Sequence, residues 1–233
     1  MLDEALDLFL GSRCVGCDRP GRMLCVPCRG SLSRTARLAW PSPVPDGLVP
    51  PFAAESYDGA VRALVVGHKD RGQWGHRRAL ADLLACAVRA AATHVGVDPA
   101  TPLLLVPVPS RPGAGRQRGY EATSALVRTA AARLRGERQV LAAPLLISRG
   151  AADQAGLDAG GRAANVTHSM HCPSAVLGRI ARRRPQAHVL VCDDVVTTGA
   201  TAREAQRALE AVGLPPVAIA AVAATARRSR LVA

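Results

Sequence analysis

A chain of 233 residues, 48% hydrophobic and 21% charged, holds one ordinary domain with room for a small appendage, and that balance excludes wholesale disorder. Its net charge of +12 invites nucleic acid, phosphate or other anionic partners. No apolar run approaches the roughly 18–20 residues of a membrane span, and Asp3, Glu4 and Asp7 are the wrong charge for a secretory signal, so the expectation is a cytoplasmic protein without membrane insertion.

In chain order, Leu2, Leu6, Phe9 and Leu10 recur at helical spacing and predict a short amphipathic helix over 2–10. Next come Cys14-Val-Gly-Cys17 and Cys25-Val-Pro-Cys28. A two-residue spacing lets both thiolates of a pair face one tetrahedral ion at about 2.3 Å. Gly16, Asp18, Pro20 and Gly21 supply turn residues within and between the pairs. Two such pairs make a closed four-thiolate site, so Cys14, Cys17, Cys25 and Cys28 are expected to hold a structural zinc. The alternative, redox dithiols, calls for a strand-to-helix turn in a βαβ unit, which the flanking sequence does not suggest. Cys86, Cys172 and Cys192 stand alone and read as incidental or buried thiols. Five prolines between Trp40 and Pro51 mark a stiff linker or edge crossing. The expected division is 1–50, comprising helix, zinc module and linker, and 51–233, the main domain.

Within the main domain, Leu103–Val108 reads as a buried strand running into a loop, and 119–135 as a helix. Val140–Ile147 is a second strand weakened by Pro144, and His188–Cys192 a short third one. Ala200–Val212 reads as a helix opened by the capping box Thr201-Ala-Arg-Glu204 and stopped by Gly213 and Pro215–Pro216. Val217–Ala224 is the next strand. Strands alternating with helices imply an α/β fold with a parallel sheet covered on both faces, and ligands of such sheets bind at the carboxyl ends of strands.

That rule selects residues 188–201, His-Val-Leu-Val-Cys-Asp-Asp-Val-Val-Thr-Thr-Gly-Ala-Thr. A buried strand delivers Asp193 and Asp194. The turn Thr197, Thr198, Gly199, Ala200 and Thr201 then opens a helix whose first N–H groups and dipole favour an anion. A phosphate in the turn with two carboxylates behind it suits a ligand with an anionic end and a diol, as in ribose 5-phosphate. No lysine follows the glycine and no GxGxxG occurs, so neither a Walker loop nor a dinucleotide fingerprint is present.

The fourteen-residue pattern resembles the phosphoribosyl pyrophosphate (PRPP) binding motif of type I phosphoribosyltransferases. Over nearly its whole length the chain resembles the ComF family of competence-associated proteins, in which a four-cysteine zinc module precedes a phosphoribosyltransferase-like domain. Tyr57-Asp-Gly59 with Lys69, Val106-Pro-Val-Pro109 with Arg116 and Arg118-Gly-Tyr120, and Gln154 with Arg162 and Asn165-Val166 match that family's elements. Glu121 departs from them, standing where the family usually has Asn.

The resemblance implies that Asp193 and Asp194, the catalytic pair, hold the ribose hydroxyls and that Thr197–Thr201 bind the 5-phosphate. It implies a pyrophosphate loop including Val108, Pro109, Ser110 and Arg111, joined by Arg116 and Arg118. It makes Gln154, Arg162 and Asn165 part of a mobile flap, adds Lys69 as a further site residue, and implies Mg²⁺ with PRPP. The implied function is phosphoribosyl transfer to an unspecified acceptor with a role in DNA uptake; the alternative is a non-catalytic PRPP sensor that binds single-stranded DNA. Partners implied are PRPP, single-stranded DNA and a DNA-uptake helicase or other competence proteins. Charge tempers the DNA reading. Of 30 basic residues only Lys69 is lysine, a skew that looks like a GC-rich genome, and six aromatic residues make no stacking platform. Any DNA contact must then be made through phosphates, and 24 basic against 13 acidic residues lie beyond residue 50.

Overall fold

A computed structural model describes residues 12–110, 121–148, 169–175, 178 and 186–225. These residues include the α-helices α1 (Val26–Gly30), α2 (Gly59–Asp70), α3 (Arg77–His94), α4 (Ala122–Leu134) and α5 (Ala200–Glu210), a 3-10 turn at Trp74–His76, and eight strands. The strands are β1 (Arg37–Leu38), β2 (Pro51–Ser56), β3 (Leu103–Pro107), β4 (Val140–Ala142), β5 (Ile147–Ser148), β6 (Met170–His171), β7 (His188–Val196) and β8 (Pro216–Ala224). Six of them form one sheet in the order β1-β2-β8-β7-β3-β4, parallel throughout except for β1. β5 and β6 make a separate antiparallel pair.

The two-residue period of the strands sorts their side chains onto two cores. Leu103, Leu105, Leu190, Cys192, Ala218 and Ala220 meet α3 and α4, through Leu84, Val88, Leu126 and Val127 among others. Leu104, Val106, Val189, Val191, Ile219 and Ala221 meet Ala202, Ala205 and Leu209 of α5. Both faces being covered, β3 is buried along its whole length, as parallel strands are. Ala218, Ala220, Ala221 and Ala223 of β8 are fully buried and leave room for helices on either side.

The expected strand 103–108 is present as β3, one residue shorter, the helix expected over 119–135 as α4, residues 119–120 lying outside the described ones, and Val217–Ala224 as β8 with one residue more. The strand expected over Val140–Ile147 is two short pieces, β4 and β5, with Pro144 between them. Two expectations need correction. The strand expected to stop at Cys192 runs to Val196, because pairing with β8 continues through Asp193↔Ala221 to Val196↔Ala224. The capping box does not form: α5 begins at Ala200 with Gly199 as its cap, so Thr201 is already inside the helix. Glu204 instead accepts the Met170 N–H at 3.0 Å and pairs with Arg207 at 2.7 Å. The expected stop holds, with Gly213 at φ +75° and the Leu214 N–H donating to the Leu209 carbonyl.

The sheet draws on both sides of the expected boundary at residue 50, since β1 extends it antiparallel to β2. Between these strands the proline-rich segment lies against α5: Gln206 donates to Gly47 O and accepts from Val49 N, and Arg203 donates to Asp46 O. The cysteine module sits on the opposite side, with Val15, Leu24 and Leu32 against the α3–α4 core. Asp82 of α3 bridges Arg29 of α1 and Arg133 of α4 at 2.8 and 2.9 Å. Among the described residues no helix is long and apolar enough to cross a membrane. The helix expected over 2–10 lies outside them.

Candidate functional site

β3 and β7 are neighbours, yet the chain leaves β3 toward β4 on one side and β7 toward β8 on the other. Strand order reverses there, and such a switch point opens a crevice at the carboxyl ends of the two strands. A cleft of about 480 Å³ occupies it. The segment after β3 contributes Val108, Pro109 and Ser110, β7 and its turn contribute Asp193, Asp194, Thr197 and Thr201, and α2 contributes Lys69 and Asp70. Tyr57 and Thr123 complete the polar lining.

Asp193 and Asp194 are only 7% and 6% exposed. Lys69 Nζ lies 2.6 Å from Asp194 Oδ2 and donates to Oδ1 at 3.0 Å. The N–H groups of Asp194 and Val195 donate to Asp193 Oδ1 and Asp194 Oδ1 at 2.8 and 3.0 Å. These surroundings split the pair. Burial, reinforced by the neighbouring carboxylate, holds Asp193 well above the usual carboxylate range. Burial opposes ionisation of Asp194 too, but the Lys69 charge and the hydrogen bonds outweigh it and hold Asp194 below that range. Lys69 in turn is raised: burial disfavours its charge, and the two aspartates more than compensate. Asp193 is therefore the more readily protonated of the pair and Asp194 the more readily ionised.

The turn after β7 is tied down from two sides. Thr225 N–H donates to Val196 O at 3.0 Å, and Gly199 adopts φ +76°, a left-handed conformation that favours glycine. A Cβ on Gly199 would lie 2.9 Å from Pro41 Cγ and 3.3 Å from Leu48 Cδ2, so the glycine also admits the proline-rich segment behind the turn. Thr197, Thr198 and Thr201 are exposed, and Thr198 Oγ1 accepts the Ala200 N–H at 3.4 Å. Val108 is fastened to β7 by its N–H on Cys192 O at 2.9 Å.

Thus Asp193, Asp194, Lys69, Thr197, Thr201, Val108, Pro109 and Ser110 line one cleft. Arg111, Arg116, Arg118, Gln154, Arg162 and Asn165 lie outside the described residues, as do Arg179, Arg182–Arg184, Arg227, Arg228 and Arg230, the basic groups from which a DNA phosphate contact is expected. Thr123 and Asp70 are lining residues that sequence reasoning does not single out. A cue for Thr123 is its position in the first turn of the helix that follows β3, where α/β folds gather ligand-facing groups.

The second site is the cysteine cluster. One sulfur each from Cys14, Cys17, Cys25 and Cys28 lies within 4.8 Å of all the others. The Cys17–Cys25 sulfurs are 3.6 Å apart, against about 3.8 Å for two thiolates on a tetrahedral zinc. Backbone turns build it: Cys14 N–H donates to Arg19 O, Asp18 N–H to Cys14 O, and Cys25 N–H to Cys14 Sγ at 3.3 Å. Burial resists ionisation of Cys14, yet the N–H groups of Cys25, Gly16 and Cys17 prevail and bring the thiol down to about 6. Hydrogen bonds from Cys25, Cys17 and Cys14 push the Cys28 thiol up to about 12. Four soft donors converging with one already poised as thiolate fit a metal ion such as zinc. Gly16 is part of the fit, because a Cβ there would approach Cys28 Sγ to 2.9 Å.

No family model matches the chain, and no curated protein matches it.

Proposed function

We propose that the chain is a phosphoribosyltransferase-type protein of the ComF kind, which binds PRPP with Mg²⁺ and transfers its phosphoribosyl group to an acceptor. The observation that carries this reading is the convergence of Asp193, Asp194, Thr197 and Thr201 on one cleft at the switch point of a parallel sheet. A vicinal diol offers two donors and two acceptors, and two adjacent carboxyl groups of which Asp193 is the more readily protonated and Asp194 the more readily ionised suit that demand. The turn leading into α5 suits the 5-phosphate. In the transfer, the bond from ribose C1 to pyrophosphate breaks with its electron pair on the departing oxygen while C1 bonds to the acceptor. Negative charge develops on the leaving group, so Lys69 and a Mg²⁺ carried by the ligand would supply the main stabilisation. The four cysteines are proposed as a structural Zn²⁺ site, since four thiolates leave no open coordination position.

A non-catalytic PRPP sensor that binds single-stranded DNA in competence is the second reading, favoured by the net charge of +12. One experiment tests the site and separates the readings. Titration calorimetry with PRPP and Mg²⁺ should give binding to wild type and none to Asp193→Asn/Asp194→Asn, with the fold of the variant intact by circular dichroism. Wild type without heat at millimolar PRPP ends the ligand assignment. Pyrophosphate release with bases or single-stranded DNA as acceptors supports the transferase, and binding without release supports the sensor.

A further inference from the structure

At the opposite end of the sheet from the cleft, where α4 leads into β4, lies a groove of about 650 Å³. Pro99 and Pro102, which precede β3, and Val140 and Leu141 of β4 give it apolar surface, and Arg135 and Arg138 line it beside them. The link that carries the arginines is short and held at both ends. Leu134 O accepts the N–H groups of Glu137 and Arg138 at 2.9 and 3.2 Å, and Gln139 O accepts the Leu103 N–H at 2.8 Å. The acids close by in sequence are engaged elsewhere: Glu137 accepts from Arg89 Nε and Nη2 at 2.6 Å each, and Asp98 accepts the Ala100 N–H at 2.7 Å. Among the described residues neither Arg135 nor Arg138 has a side-chain hydrogen bond or an ion pair. Arg135 is exposed, whereas Arg138 is half-buried and its Nη1 is closed off from water without an acceptor. A guanidinium partly withdrawn from water with no oxygen to meet it is costly, and an anion arriving beside it lifts that cost.

We propose that this groove is a second ligand site, one that takes a phosphate monoester with a flat apolar body. Two guanidinium groups without carboxylate partners match the two charges of a phosphate monoester, and their planar forks match its oxygens. The exposed side chain of Leu141 and the rings of Pro99 and Pro102 match the body. The volume lies in the range of small-molecule sites. None of the residues lining the groove also lines the cleft, so the proposal stands whatever the cleft binds.

Phenyl phosphate is the probe, because it carries the dianion and a flat ring but no ribose. Titrated calorimetrically into the full-length protein, it should bind saturably to wild type, and inorganic phosphate should bind roughly tenfold more weakly for want of the ring. Arg135→Gln and Arg138→Gln should each weaken phenyl phosphate about tenfold or more, the loss of one charge-assisted hydrogen bond. Their melting temperatures without ligand should match wild type, since neither side chain has a partner to lose; Arg135 is exposed, so its variant reports on the site even where Arg138→Gln unfolds. Asp193→Asn/Asp194→Asn should bind the probe as wild type does. Lack of saturable binding by wild type, equal binding of phenol, affinity unchanged in either arginine variant, or loss of binding in the aspartate variant overturns the proposal.

Discussion

Replacing Lys69 by methionine keeps the aliphatic stem and deletes the ammonium that faces Asp194 at 2.6 Å. Asp194 is 6% exposed, so the carboxylate left behind is almost out of water. Removing one partner of a fully buried pair costs about 3–5 kcal/mol. The Lys69 side chain is 37% exposed, however, and water already screens the pair and reaches the gap it leaves. That discount brings the expected loss at neutral pH to about 1–2 kcal/mol, or a melting temperature lower by about 2–8 °C for a chain of this size. The pH dependence has a definite sign. In wild type the Asp194 carboxyl titrates below its unfolded range, so its contribution is present above that range and is lost as pH falls through the lower, folded value. Without Lys69 the holding charge is gone and burial raises the same group. The variant's deficit against wild type should therefore narrow on acidification from pH 7 toward about pH 5, as the stranded acid takes up its proton. Urea unfolding followed by circular dichroism at both pH values measures it, with Lys69→Met/Asp194→Asn as the partner variant. Recovery of most of the loss in the double variant is expected. A single variant as stable as wild type at pH 7, or a double variant as unstable as the single, would refute the reasoning.

Elemental analysis of purified protein should give one zinc per chain, with Cys25→Ser losing it and unfolding the cysteine module while the sheet survives; metal-free protein with that module intact would end the zinc proposal. Gly16→Ala should also retain less zinc under chelator challenge, because its Cβ would sit 2.9 Å from Cys28 Sγ. Gly199→Ala should cost about 2 kcal/mol, combining a left-handed backbone with a contact on a rigid proline ring, and an unchanged melting temperature would count against the packing described. Single-stranded DNA should bind weakly, with little sequence preference and steep loss in salt; affinity constant across a tenfold rise in salt would exclude a phosphate-driven mode.

What could be read in advance follows from how each residue type carries its signal. β3 and β7 announce themselves as runs of Leu and Val, β8 as an unbroken apolar run of Ala, Val and Ile, and the cysteine cluster does so because its spacing is itself the geometry. α3 is the counterexample. Ala79, Leu80, Leu83, Leu84, Ala87, Val88 and Ala91 recur at helical spacing and are all buried, yet three of these seven are alanine, which favours helix while contributing little apolar contrast. β2 is hidden for a different reason: Pro50 and Pro51 read as linker, although Pro51 is only the first residue of the strand, where a missing N–H is tolerated. β1 is two residues long and exists only because β2 offers an edge.

The site divides along the same line. Asp193, Asp194 and the turn are contiguous, so their chemistry is legible as a string. Their electrostatics are not, because the charge that sets Asp194 apart from Asp193 comes from Lys69, 125 positions away. Thr201 and Glu204 have the spacing of a capping box, but spacing alone does not fix where a helix starts. Gly199 starts α5 two residues earlier than a Thr201 cap would, and Glu204 is drawn instead to the Met170 N–H and Arg207. Gly199 itself is legible as a turn residue facing an anion, whereas its second duty, admitting Pro41, Pro45 and Leu48 behind the turn, depends on residues some 150 positions upstream. That packing links the two ends of the chain: the segment leading from the cysteine module supports the back of the turn proposed to hold phosphate, so the shape of the turn is set jointly by its own sequence and by the segment packed behind it.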